Sequence, residues 1–408
     1  MENLLKKYAL LAVKTGVNVK KDQYLVINSP IECAFFARQI AEEAYKLGAK
    51  QVIIHWNDEK FARINYTYAS IEALEDIPNW MVDSYLSYAK KGAAFLSISA
   101  SDPENLKGID ANKISASLKA RQIALREYSD LLMSNKCPWS IVSIPTTAWA
   151  KKVFSNVSEE EAVSKLWEQI FKIVRIDKED PDKAWEEHLA NLDEKMHYLN
   201  EKNFKLLHYT NSLGTDLKIE LPKDHLWCGG ADKMSDGRSF VANMPTEEVF
   251  TLPLKTGING KVVSSMPLNY SGNLINNFSL TFKDGRIVDF EAEEGYETLK
   301  HLIETDEGSH YLGEVALVPY DSPISNSGVI FFNTLYDENA SCHLAIGKAY
   351  PFCLKDSDGL SKDDLVKKGA NDSLAHVDFM VGTKDLDIVG ITNSGEKFQI
   401  FKDGNWAF

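Results

Sequence analysis

In the segment LAHVDFMVGT (374–383), His376 and Asp378 stand two residues apart among apolar neighbours. In a strand, residues i and i+2 project to the same side, so an imidazole and a carboxylate share one face. Burying them is costly unless something pairs with them. The same half of the chain supplies candidates. NMPTEEVFT carries Glu247 and Glu248, YLGEVALVP carries Glu314, and NASCHLAIGKAYP carries His343 and, seven residues on, Tyr350. Each has an ordinary explanation when read singly. Glu248 could face the positive end of a helix, Glu314 could pair with a lysine, and His343 could be a hydrogen-bonded core histidine. Tyr350 could be packing, and His376 and Asp378 could bond to each other.

Together, two histidines and three carboxylates suit a borderline divalent cation such as Zn²⁺, Co²⁺ or Mn²⁺. They exceed what one tetrahedral site needs, whereas a pair of metals sharing a carboxylate would use them all. Asp378, beside His376, is a reasonable bridging group. Two adjacent metals suit hydrolysis, because they lower the pKa of a bound water and polarise an electrophilic carbonyl. Glu314 or Glu247 could accept the water proton, and the Tyr350 hydroxyl could donate to a developing oxyanion. Other two-metal hydrolases, amidases or phosphoesterases, would use similar ligands. A phosphoesterase calls for Arg or Lys nearby, and the three segments offer Lys348 and no arginine. A module with a structural metal would close on four ligands.

The elements that must position these residues differ between the two halves. QYLVIN (23–28) reads as a short strand. The stretch 31–47 repeats Cys33, Phe36, Ala37, Ile40, Ala44 and Leu47 at helical spacing, Gly48 supplies a C-cap, and KQVIIHW is the next strand. That is a βαβ unit, hence a parallel sheet. AAFLSIS (93–99) and WSIVSIP (139–145) extend it, and one long helical stretch over 158–200 leads out. No GxGxxG or GxxxxGK[ST] follows any of these strands, which argues against a bound nucleotide. From 203 onward short strands and tight turns take over. FKLLHYTNSLGTDLKIEL is a hairpin, FSLTFKDGRIVDFEA is another with Asp-Gly at its tip, GYETLKHLIE is a helix, and the last 23 residues form a meander. The expected fold is therefore an α/β parallel-sheet domain, 1–195, followed by a mainly antiparallel α+β metal-binding domain, 196–408.

The 408 residues fit two domains. A net charge of -14 disfavours nucleic acid and anionic membranes as partners. No apolar run reaches the ~20 residues of a membrane span. The N-terminal lysines are scattered, unlike those of a secretory signal. Five widely spaced cysteines without a CxxC read as reduced thiols, and a cytoplasmic location is expected.

NMPTEEVFT, HLAIGKAYP and HVDFMVGT resemble, in order and spacing, the signature segments of the thermophilic-type metalloaminopeptidases, the aminopeptidase T, aminopeptidase S and PepS family. LLKKYALLAVKTGVNV and ISASDPENLKGID are similar to it too, so the resemblance spans nearly the whole chain and is strongest to the bacterial PepS-type members. It implies a metal-dependent aminopeptidase releasing N-terminal amino acids from short peptides through a metal-activated water. It implies two divalent ions per chain (Zn, Co, Mn or Mg) on Glu248, Glu314, His343, His376 and Asp378, with Tyr350 as an active-site tyrosine. Glu247 remains the alternative to Glu248. Family members form dimers whose active sites face an enclosed cavity, so a homodimer acting on small peptides is expected.

Overall fold

The apolar runs of the N-terminal half become a parallel sheet in the computed structural model of the chain, which describes residues 1–270 and 272–408. Strands β1 (Tyr24–Pro30), β2 (Gln51–Asn57), β3 (Ala94–Ser99) and β4 (Trp139–Ser143) are ordered β2-β1-β3-β4. Every pairing is parallel. The first crossover is the helix Ala34–Lys46, entered through a short 3-10 turn at Ile31–Cys33. It buries Phe36, Ala37, Ile40 and Ala44, the stripe given by its three- and four-residue spacing. Gly48 ends it at φ +93°, a left-handed conformation that glycine adopts without steric cost.

The single long helix expected over 158–200 is instead two, Glu159–Ile173 and Pro181–Lys202. Arg175 has a left-handed φ of 61°, which a helix cannot contain. Pro181 then opens the second helix, where its missing N–H costs nothing.

The chain divides into two compact units. One comprises Met1–Ala190, Gly230–Thr246 and Phe331–Leu335, and the other Asn191–Gly229, Glu247–Ile330 and Tyr336–Phe408. The first holds the parallel sheet. It also holds a small ribbon whose strands follow three of the second unit, β5 (Phe204–Thr210), β6 (Asp216–Glu220) and β7 (Cys228–Gly229), in the chain; its own strands are β8 (Asp232–Lys233) and β9 (Ser239–Phe240). The second unit continues with β10 (Val249–Thr251), β11 (Ile258–Val263), β12 (Leu268–Tyr270), β13 (Asn273–Lys283), β14 (Arg286–Glu294), β15 (Leu312–Leu317), β16 (His343–Gly347) and β17 (His376–Met380). It ends with β18 (Asp387–Thr392), β19 (Lys397–Lys402) and β20 (Asn405–Trp406).

Two antiparallel sheets result among the described residues of this unit. One runs β12-β13-β11-β6-β5-β18-β19-β20, with β14 paired to β13; the other runs β17-β16-β15-β10-β7. The predicted hairpins are β5–β6 and β13–β14, and the Asp284-Gly285 tip of the latter has φ of 49° and 83°, as a tight hairpin turn requires. The helix Tyr296–Ile303 follows. The two sheets share one apolar core. Val315 and Leu317, Leu344 and Ile346, and Phe379 come from the five-stranded sheet; Leu207, Ile219, Phe278 and Leu280 come from the other. The Phe278 and Phe379 rings meet at 5.6 Å. Each such side chain contributes about 1.5–3 kcal/mol by leaving water. Among the described residues no helix is long and apolar enough to cross a membrane.

Candidate metal centre

Alternation along the five-stranded sheet decides which residues meet. Val315, Leu317, Leu344, Ile346 and Phe379 face the core, so their alternates face the opposite way. Directly opposed residues of an antiparallel pair share a face. Phe250, Ala316, His343 and Met380 therefore form one row across β10, β15, β16 and β17. Glu314, Ala345 and Asp378 form the next, and Gly347 with His376 the one after. Glu248 lies two residues before Phe250, on that same side. The polar residues singled out in four separate segments thus project from one sheet face, over a floor of alanine and glycine.

The rows are brought close by glycine. The β15–β16 register shifts between Leu312 and Glu314. A Cβ on Gly313 would lie 2.5 Å from the Lys348 carbonyl carbon and closer still to the carbonyl oxygens of Gly347 and Lys348. Gly347 itself has φ +110° and passes against the Ala375 carbonyl. Only glycine allows this approach at both positions.

The side chains form two overlapping groups. One ligand atom each from Glu248, Glu314 and His343 lie within 4.8 Å of one another, as do atoms from Glu314, His376 and Asp378. Glu314 belongs to both and is the carboxylate common to the two groups. His343 Nε2 lies 2.9 Å from Glu248 Oε2, and His376 Nε2 lies 3.2 Å from Glu314 Oε2 and 3.8 Å from Asp378 Oδ1. Backbone carbonyls set the ring orientations. His376 Nδ1 donates to the Lys348 carbonyl at 2.7 Å and His343 Nδ1 to that of Ser341 at 3.2 Å, which turns both Nε2 atoms to the carboxylates. Glu247 is in neither group; its N–H donates to Asn339 Oδ1 at 2.7 Å.

Burial makes this cluster expensive. Glu314 is 4% exposed and His343 1%. Burial, then the Asp378 and Glu248 charges, push the Glu314 carboxyl up against the opposing pull of His376. For His376 and His343 burial works to lower the imidazole, yet the neighbouring carboxylates prevail and raise it, chiefly Asp378 and Glu314 for one and Glu248 for the other. The Tyr350 ring packs edge-on against His376 at 4.9 Å. Its phenol is pushed up by burial and by the charges of Glu314, Asp378, Glu248 and Glu338, so it stays a proton donor.

Sequence reasoning missed Glu338. It is buried in a 3-10 turn five residues before His343, and its carboxyl is pushed well up by burial and by Asp378, Glu248 and Glu314. Asn339 Nδ2 contacts its Oε1 at 3.4 Å. The signal that could have found Glu338 is its place five residues before the candidate ligand His343, in a segment uncharged from Asn339 to Gly347.

Four carboxylates thus face two imidazoles, and the buried Asp378 Oδ1 has no hydrogen-bond partner. A mixed oxygen and nitrogen donor set with surplus negative charge fits a divalent cation better than any internal pairing. Comparison with known proteins bears on this directly. The thermophilic metalloprotease (M29) family matches residues 1–406. The chain belongs to that family. M29 relatives cover it end to end. Aminopeptidase AmpS of Bacillus subtilis (strain 168) is 52% identical over 404 residues, covering 99% of this chain and 98% of the relative. Aminopeptidase 2 of Geobacillus stearothermophilus is 50% identical over 407 residues, covering 100% and 98%. The solved structure of wild-type AmpT from Thermus thermophilus superposes with a TM-score of 0.91 at 38% identity, covering all of both chains. The parallel-then-antiparallel architecture expected from the sequence is thus that of a known M29 metalloprotease fold.

Proposed function

We propose that this chain is a metal-dependent aminopeptidase that releases N-terminal amino acids from short peptides at a site built for two divalent ions. The observation that carries the reading is the pair of donor groups sharing Glu314. M29 membership and the aminopeptidase names of its relatives support the reaction class. Glu248, Glu314 and His343 would hold one ion and Glu314, His376 and Asp378 the other, with Glu338 a further oxygen donor beside them. The borderline donor set favours Zn²⁺, Co²⁺ or Mn²⁺ over Mg²⁺. When bound, the ions supply Lewis acidity, which lowers the pKa of a bound water and polarises the scissile carbonyl.

The protein's own groups do the rest. The Lys348 and Ser341 carbonyls hold the imidazoles so that Nε2 faces the donor groups. A buried carboxylate beside the donor groups, such as Glu338, would take a proton from the attacking water and return it to the leaving amine. The Tyr350 hydroxyl donates to the oxygen on which charge develops. Surplus negative charge suits the substrate's free α-ammonium, which an internal peptide bond lacks, and this favours removal of the first residue.

Hydrolysis of aminoacyl-p-nitroanilides before and after chelation tests the reading. Activity that disappears with the chelator and returns with divalent metal is expected. Cleavage of phosphate esters but not aminoacyl-anilides would overturn it. The homodimer and the cytoplasmic location belong to the same reading, and light scattering of the purified protein checks the former.

A further inference from the structure

Strand β16 ends at Gly347, so Lys348 lies past the sheet ladder, yet its carbonyl is the acceptor that orients His376. Other bonds must hold that carbonyl in place, and one buried side chain supplies several of them. Asn371, 3% exposed, stands five residues before His376 and belongs to neither donor group. Its Nδ2 donates to the Gly308 and Gly347 carbonyls, both at 2.7 Å. Its own main-chain carbonyl accepts the Ala349 N–H at 2.9 Å, and the Ala375 carbonyl accepts the Lys348 N–H at 2.7 Å. With the bond from His376 Nδ1, all four polar groups of the two peptides flanking Lys348 are engaged. Asn371 makes two of those four bonds, one on each side of Lys348. Its Oδ1 is buried and has no hydrogen-bond partner among the described residues. Such an atom does nothing for folding, because a buried unpaired acceptor costs free energy. What asparagine brings is two hydrogens on one short side chain. An ionised Asp has none, Ser has one, and Gln is a methylene longer.

We infer that Asn371 is a positioning residue for the His376 half of the metal centre. It holds Gly347 and Ala349, which aims the Lys348 carbonyl. That carbonyl fixes His376 Nδ1, and Nε2 is left facing Glu314 and Asp378. The inference rests on the two-ion reading above. His343 takes its orientation from a different carbonyl, that of Ser341. Loss of Asn371 therefore weakens one ion and spares the other, which a general loss of stability would not do. An imidazole released from the partner that orients it holds its metal about 10- to 100-fold less tightly. That loss falls on the ion held by Glu314, His376 and Asp378.

The test is Co²⁺ binding by the metal-free protein in competition with a chromogenic chelator, with urea unfolding of each metal-free variant alongside. The wild type should bind two ions per chain. Asn371→Ala should bind one ion as the wild type does and the other about 10- to 100-fold more weakly. The loss should belong to His376. Added to His376→Ala, Asn371→Ala should lower affinity no further, whereas beside His343→Ala it should keep its full effect. Should Asn371→Ala fail to fold, Asn371→Ser, which keeps one donor, should show the same selective loss in smaller measure. Two ions bound at wild-type affinity, or both weakened alike, would overturn the positioning role. A wild type that binds fewer than two ions would overturn the two-ion reading, and the inference with it.

Discussion

Replacing Gly313 by alanine adds one methyl group where β15 passes closest to the Gly347-Lys348 backbone. The added Cβ would stand 2.5 Å from the Lys348 carbonyl carbon, against backbone that no side-chain rotation can relieve. Strands β15 and β16 must separate, an overpacking that costs about 1–3 kcal/mol. The consequence for the site is of the same order as that for the fold. The displaced Lys348 carbonyl is the acceptor 2.7 Å from His376 Nδ1, and Glu314 is the next residue after the substitution. Disturbing a partner that orients a metal ligand typically costs 10- to 100-fold in affinity, about 1.4–2.7 kcal/mol. Gly328→Ala is the control. It has φ +67° with nothing near its would-be Cβ, so it carries a backbone penalty of about 1–2 kcal/mol without touching the site. Urea unfolding of the metal-free proteins gives the stabilities, and competition with a chromogenic chelator gives the affinities. Gly313→Ala should lose both, Gly328→Ala stability alone. A Gly313→Ala protein that binds metal as tightly as the wild type would show that this close approach does not hold the ligands in place.

Other expectations follow from the same rows. Ala345 lies directly opposite both Glu314 and Asp378; Ala345→Val should fill the floor between them and cut metal content while circular dichroism stays native. Tyr350→Phe should keep full metal content and lose kcat by about 10²–10³-fold, the usual cost of one oxyanion donor; unchanged kcat would remove Tyr350 from the chemistry. Metal uptake should release protons. Without metal His376 is raised to about 9 and His343 to about 10, so both are charged at neutral pH and a cation must displace those protons. Calorimetry in buffers of different ionisation enthalpy should show the release, with affinity rising from pH 6 to 9. The same shifts stabilise the metal-free protein fully below the ordinary imidazole value of about 6.5. That contribution should fade as pH rises through 9 to 10, which a chelator-treated sample can show by its unfolding midpoint.

Much of the site was legible because it is built on local periodicity. His376 and Asp378 had to share a side once 376–380 was a strand, and that face proved to be the one carrying Glu314 and His343. The helix 34–46 was legible from its apolar stripe, and the 278–292 hairpin from Asp-Gly. What local pattern cannot carry is which strands neighbour each other. It left open that Glu314, common to both donor groups, would span them, a fact of register between strands some thirty residues apart. Nor does it tell that Gly230–Thr246 and Phe331–Leu335 cluster with the N-terminal unit, since those returns are long-range. The break at Arg175 was hidden by a charged stretch whose helical composition continues on both sides.

Two donor groups share one carboxylate, so the number of ions bound per chain is the deciding quantity. Inductively coupled plasma mass spectrometry on metal-reconstituted, desalted protein should give two divalent ions per chain for the wild type, one for each donor group. With Glu314→Gln, which touches both groups, both ions should be lost together. A single ion per chain in the wild type, or a Glu314→Gln protein that keeps either ion at full occupancy, would contradict the shared site.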